Sequence, residues 1–307
     1  MLLVRSARAL EVHLYHQQAM PQRENACAAF ALTCLLRGMG FARWRGYEID
    51  QELTAYLAGM VALEDAYPFD ADPGTAAQAA WGFVRRYAYP LRRTADLAEV
   101  GTSPEGVAAA LETLTAGALT AVPVKGRRRD GSPLSEVDVW GLVDCILAPE
   151  HSVWEAQVLF NYQVGHLAAL EGSGQGWGHV LFGEETRPCT WNVGHVTSLA
   201  GVVACHHGGR ALVIRDSSPR FGWRGYHAQC ADAVAAALAR SDGSEGGVLV
   251  VCRAADGSRV KAALAAAVPG VSLEFWNNGS RFVSPPPLPP REAGDGNTAG
   301  PAGGGGA

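Results

Sequence analysis

A chain of 307 residues with 48% hydrophobic and only 18% charged side chains can bury a substantial core, as one large domain or two smaller ones. Its formal net charge of −5 leaves no basic footprint for nucleic acid, and no apolar run approaches the roughly 18 residues that suggest a membrane span. Seven cysteines, an odd number with no C-x-x-C pair, argue against a disulfide framework or a zinc ribbon and for reduced thiols in a cytoplasmic protein.

In chain order, Leu10 to Gln18 suits either a helix or an edge strand, and Pro21 stops it. Asn25 is the expected N-cap of a helix with Phe30, Leu32, Leu35 and Leu36 on its apolar face and Gly38 and Gly40 at its end. A second helix starts near Asp50 and carries Leu53, Tyr56, Leu57 and Met60 at helical spacing. Residues 64–102, with Pro68, Pro73, Gly74 and Pro90, are expected to form an irregular insertion. Ser103-Pro104-Glu105 then opens a helix with a cap, a proline in the first turn and an acid near the positive end of the dipole. ALTAVPV (118–124) follows as a strand and Pro133 to Leu147 as a helix.

The later part is richer in strands. VWEAQVLF (153–160), HVTSLAGVVAC (195–205) and ALVIRD (211–216) have strand composition, the last two joined by the turn His206-His207-Gly208-Gly209. A helix over 232–240, a buried strand VLVVCR (248–253) and a helix over 260–267 complete the pattern. From Ser284 onward, PPPLPP and a Gly-rich run lack the apolar residues that offset ordering entropy, so 284–307 is expected to be a disordered tail. Helices first and antiparallel strands later make the fold class α+β, with a single domain over 1–283.

The stretch PQRENACAAFALTCLL (21–36) puts Cys27 in the first turn of its helix. There, free N–H groups and the helix dipole favour the thiolate, the form of sulfur that attacks carbonyl carbon. Cys34 lies about two turns deeper, gains none of that field and reads as packing. Acyl chemistry further needs a base to hold the proton and a third group to orient the base. His195 begins one expected strand and Asp216 ends its neighbour, and in a hairpin those two ends meet.

Together these positions resemble the papain-like cysteine peptidase superfamily, especially its bacteriocin-processing and phytochelatin-synthase-like branches. In those, a Gln precedes a helix-starting Cys, Gly-His opens a later strand, and an Asp or Asn stands on the next one. Gln22, Cys27, the Gly194-His195 pair and Asp216 occupy the matching places. The segments QRENACAAF, WNVGH and RDSSPRFGW also resemble an uncharacterised actinobacterial family over residues 20–280. The resemblance implies a papain-like fold, in which an N-terminal helical part carrying the Cys helix packs on a C-terminal antiparallel sheet. It further implies a cysteine peptidase or amidase that acts on a peptide or small amide through a thioester, with no cofactor. Cys27 is then the nucleophile, His195 the general base and acid, and Asp216 its orienter. Gln22 and the backbone N–H of Cys27 are the oxyanion donors. Two positions depart from the pattern: Gln22 stands five rather than six residues before Cys27, and Ala28 replaces a common Gly. They keep open a second reading, an inactive papain-like module that binds a peptide or protein partner.

Asn192 and Gly194 beside His195, with Phe221 and Trp223 after Asp216, are the expected substrate-binding residues. Cys205-His206-His207, even with Cys189, His195 or His227, matches no metal-ligand spacing, because adjacent strand residues point to opposite faces; no metal is expected. EGSGQGWGH (171–179) lacks the strand–loop–helix setting of a phosphate loop.

Overall fold

The central strands are buried along nearly their whole length, and their side chains alternate between two covered faces, which sets the layers of the molecule. The structure, a computed structural model, describes residues 3–20, 22–63, 89–168, 177, 191–205, 208–218 and 221–288. The N-terminal part holds β1 (Leu3–Arg5), α1 (Ala9–Ala19), α2 (Cys27–Gly38), β2 (Arg43–Trp44), β3 (Tyr47–Glu48) and α3 (Gln51–Leu57). There follow β4 (Val61–Leu63), β5 (Arg92–Thr94), α4 (Pro104–Leu114), β6 (Leu119–Lys125) and α5 (Glu136–Leu147). The remainder is β7 (Gln157–Gln163), β8 (Gly194–Ala204), β9 (Arg210–Arg215), β10 (Tyr226–Gln229), α6 (Ala231–Ala239), β11 (Gly247–Arg253) and α7 (Gly257–Ala267).

The main sheet runs β10-β9-β8-β7-β11-β6, with every neighbouring pair antiparallel. β1 adds to β8 beyond the end of β7, next to a register shift between Leu199 and Gly201. Val158, Phe160 and Tyr162 of β7 turn to one face, where they pack with Leu142, Val234 and Val260 of α5, α6 and α7. Leu159 turns to the other face, with Val196, Leu249 and Val251, against Leu32, Leu53 and Leu111 of α2, α3 and α4. Both faces of the sheet are therefore covered, and each such buried aliphatic or aromatic side chain contributes roughly 1.5–3 kcal/mol over an exposed one. The protein is an α+β molecule built on an antiparallel sheet, as its sequence leads one to expect.

Several local expectations shift. The segment open between helix and strand is the helix α1. The N-cap of α2 is Ala26, because Asn25 sits in the left-handed region at φ +57°, which asparagine tolerates better than most residues. Asp50 and Ser103 do cap their helices, accepting from the backbone of the first turn. Residues 149–154 form a 3-10 turn, so β7 starts only at Gln157. The described part of the insertion is not wholly irregular: β5 pairs parallel with β4, and 97–99 form a 3-10 turn. Residues 64–88 lie outside the described residues. Of the segment expected to be a tail from 284, residues 284–288 are described: the Tyr56 hydroxyl donates to the Pro286 carbonyl at 2.8 Å, and Leu288 packs on the α2–α4 face. The remainder, 289–307, also lies outside the description. No helix among the described residues is long and apolar enough to cross a membrane.

Candidate active site

Three separate pieces of chain meet at one edge of the α2–sheet interface. Cys27 is the first residue of α2, and Ala26 before it has no side chain to cap the first turn, so the free N–H groups there are left for other acceptors. The next residues, Ala28 to Leu32, are buried and anchor the helix, while Cys27 itself is half-buried. His195 is the second residue of β8, opposite Tyr162 of β7. β9 pairs Arg215 with Ser198 and then ends, which leaves Asp216 beside the start of β8.

His195 Nε2 lies 3.0 Å from Asp216 Oδ1, and both side chains are buried. The Cys27 sulfur is near enough to the same ring to raise its basicity, and both residues line one cleft. With Nε2 committed to Asp216, Nδ1 is the nitrogen left for sulfur. Burial alone would lower the basicity of His195, but the Asp216 carboxylate and the Cys27 sulfur outweigh it and push its pKa up to about 10.

Asp216 is held from every side. Its Oδ1 also accepts the Ser218 N–H at 2.8 Å, its own N–H donates to Gly225 O at 2.7 Å, and its carbonyl accepts from His16 Nε2 of α1 at 2.6 Å. Its Oδ2 lies 3.6 Å from His227 Nε2, beyond hydrogen-bond distance, and neither atom has a hydrogen-bond partner among the described residues. Gln229 donates to His227 Nδ1 at 3.2 Å, which leaves the His227 proton on Nε2, toward the carboxylate. Burial opposes ionisation of Asp216, yet His195 and His227 prevail and hold it below the usual carboxylate range. His16 goes the other way: burial, helped by the Arg215 charge, takes its pKa down to about 4, so it stays neutral and donates to the backbone.

Cys27, Gln22, Gly194 and His195 all line one cleft of about 530 Å³. Gln22 is 4% exposed and its Oε1 has no partner among the described residues, an unusual state for a buried carboxamide. Cys34, by contrast, is sealed under α1 next to Val12 and Phe30, and burial pushes its pKa up to about 12.

The other expected substrate-binding residues are placed differently. Asn192 is exposed next to Gly165 and outside the cleft lining, although its neighbours Trp191 and Val193 line it. Phe221 is buried in the core, where it supports Trp191 at 5.2 Å between ring centres, and does not itself face the cleft. Trp223 is 67% exposed in a tight turn with Tyr226, away from the cleft. The aromatic wall is Trp191, set edge-to-face on His195 at 5.3 Å.

Sequence reasoning also passed over Asn161 and Arg240. Asn161 of β7 donates to the His195 carbonyl at 3.3 Å and accepts from Trp276 Nε1 at 2.8 Å, so it fixes the backbone that carries the histidine. An asparagine within the buried run VLFNYQV was the available clue. His206, His207, Cys189 and His179, raised and set aside as metal or phosphate ligands, lie outside the described residues.

No curated protein and no solved structure matches this chain. A family model does match, over residues 7–277, a span that carries Cys27, His195 and Asp216 with the sheet and both helical layers around them. By that match along most of its length, the chain belongs to DUF6885, a family of unknown function.

Proposed function

We propose that this protein is a thiol-dependent acyl-transfer enzyme of papain-like fold, a cysteine peptidase or amidase acting on a peptide-like amide. The observation that carries the reading is a single buried ring, His195, hydrogen-bonded to the Asp216 carboxylate and made more basic by that carboxylate and by the Cys27 sulfur, which lines the same open cleft. Cys27 sulfur attacks the substrate carbonyl carbon, and His195 holds the thiol proton. The negative charge that develops on the carbonyl oxygen is met by the Cys27 backbone N–H and the Gln22 carboxamide, which shares the cleft. When the tetrahedral adduct collapses, the C–N bond breaks, His195 gives its proton to the leaving amine, and a thioester remains on Cys27. Attack by water, with His195 again taking a proton, releases the acid and restores the thiol.

Alkylation by iodoacetamide tests this without knowledge of the substrate. Cys205 and Cys230 are half-buried like Cys27 and serve as internal references. Peptide mapping should show Cys27 labelled at least about tenfold faster than either, and His195→Ala should remove most of that advantage. Equal rates at all three cysteines would sink the enzymatic reading and leave a papain-like binding module.

A further inference from the structure

We infer that the cleft contains an anion subsite at Arg240, so that the substrate is a short peptide or small amide bearing a free carboxylate. This rests on the acyl-transfer reading and specifies its substrate. Arg240 follows the last residue of α6 at a positive φ of +49°, which is costly for an arginine. The side chain is only 6% exposed, and the residue lines the same cleft as Cys27. Its Nε and Nη2 bind Asp242 at 3.0 and 2.6 Å. Nη1 has no hydrogen-bond partner among the described residues.

The plain alternative is an ion pair that braces the loop after α6, and Asp242 does also accept the Ser244 N–H at 3.2 Å. A brace does not account for where the guanidinium lies. Its Nη1–Nη2 edge lies against Gly194, so close that a β-carbon there would come within 2.9 Å of Nη1 and 3.0 Å of Nη2. Gly194 directly precedes His195 on β8, and both line the cleft with Cys27 and Arg240, so a ligand held by Arg240 lies in the same cavity as the reacting sulfur. Charge then selects the kind of anion. Asp242 already balances the charge on Arg240, so a carboxylate monoanion leaves less uncompensated charge there than a phosphate dianion would.

Iodoacetate and iodoacetamide deliver the same electrophilic carbon to sulfur, with iodide leaving in each case, and differ only in carrying a carboxylate. The quantity to measure is the iodoacetate-to-iodoacetamide rate ratio at Cys27, normalised to the same ratio at Cys205. Arg240→Gln should lower it by about fivefold or more, and Asp242→Asn, which frees the guanidinium, should raise it. Should either variant not fold, protection in the native protein decides: acetyl-diglycine as the free acid should slow carbamidomethylation of Cys27 at concentrations about fivefold below those needed with its C-terminal amide. Fast labelling of Cys27 with a ratio unmoved by both substitutions, or equal protection by acid and amide, overturns the subsite and leaves the acyl-transfer reading intact. Labelling of Cys27 no faster than Cys205 overturns both.

Discussion

Asp216 has no exposed surface, yet three histidines converge on it: His195 and His227 face its two carboxylate oxygens, and His16 bonds its backbone carbonyl. Such an arrangement must show in the pH dependence of stability. The His195 pKa rises from 6.5 to about 10 on folding, so its contribution is complete below pH 6.5 and fades as pH climbs through about 10. The Asp216 pKa is depressed from 3.8, so its contribution is complete above that value and is lost as pH falls below it. The stability difference between the native protein and Asp216→Asn should therefore peak between about pH 4 and 6.5, at roughly 3–5 kcal/mol, because the variant leaves a buried ring without its counter-charge. Urea titrations from pH 3 to 10 measure it, and a difference that does not vary with pH would contradict the pairing. The meeting of His195 and Asp216 could be foreseen because it follows from hairpin adjacency alone. His227 could not, since its approach depends on the short strand β10 and on a turn whose geometry no residue pattern announces.

Among the elements, the helices that announce themselves do so through their caps. Asp50 and Ser103 accept backbone N–H groups where their side chains predict it. α1 was ambiguous for a physical reason: the residues it buries are Val12 and His16, while Leu10 and Leu14 are 61% and 52% exposed. A helix that buries a histidine and exposes its leucines carries no readable apolar stripe. Strand β1 depends on a different feature. Its pairing with β8 brings the Val4 carbonyl against Gly201, where any β-carbon would collide with it. Gly201→Ala should thus separate β1 from β8 at a cost of about 1–3 kcal/mol, with amide exchange accelerating at Val4 and Val202 before the rest of the sheet. Unchanged protection at those two amides would show that the strands can part enough to admit a methyl group at no cost.

At the scale of the molecule, the cleft gathers residues from the start of α2, the loop before β8, strand β7, the end of α6 and the segment around Asn278. Periodicity and capping report on neighbours a few positions apart. That is why Cys27 could be placed on its helix from the sequence, whereas Trp191, Asn161 and Arg240, brought in by packing across the sheet, could not. The order of the strands has a further consequence. β11, the last strand made, is hydrogen-bonded on both edges, between β6 and β7 in the interior of the sheet. A nascent chain therefore emerges from the ribosome with its thiol in hand but with a gap in the sheet that will support the histidine. Cys27 and His195 can reach their folded arrangement only after residue 253 has been synthesised, so fragments ending earlier carry the thiol without the completed sheet behind the histidine.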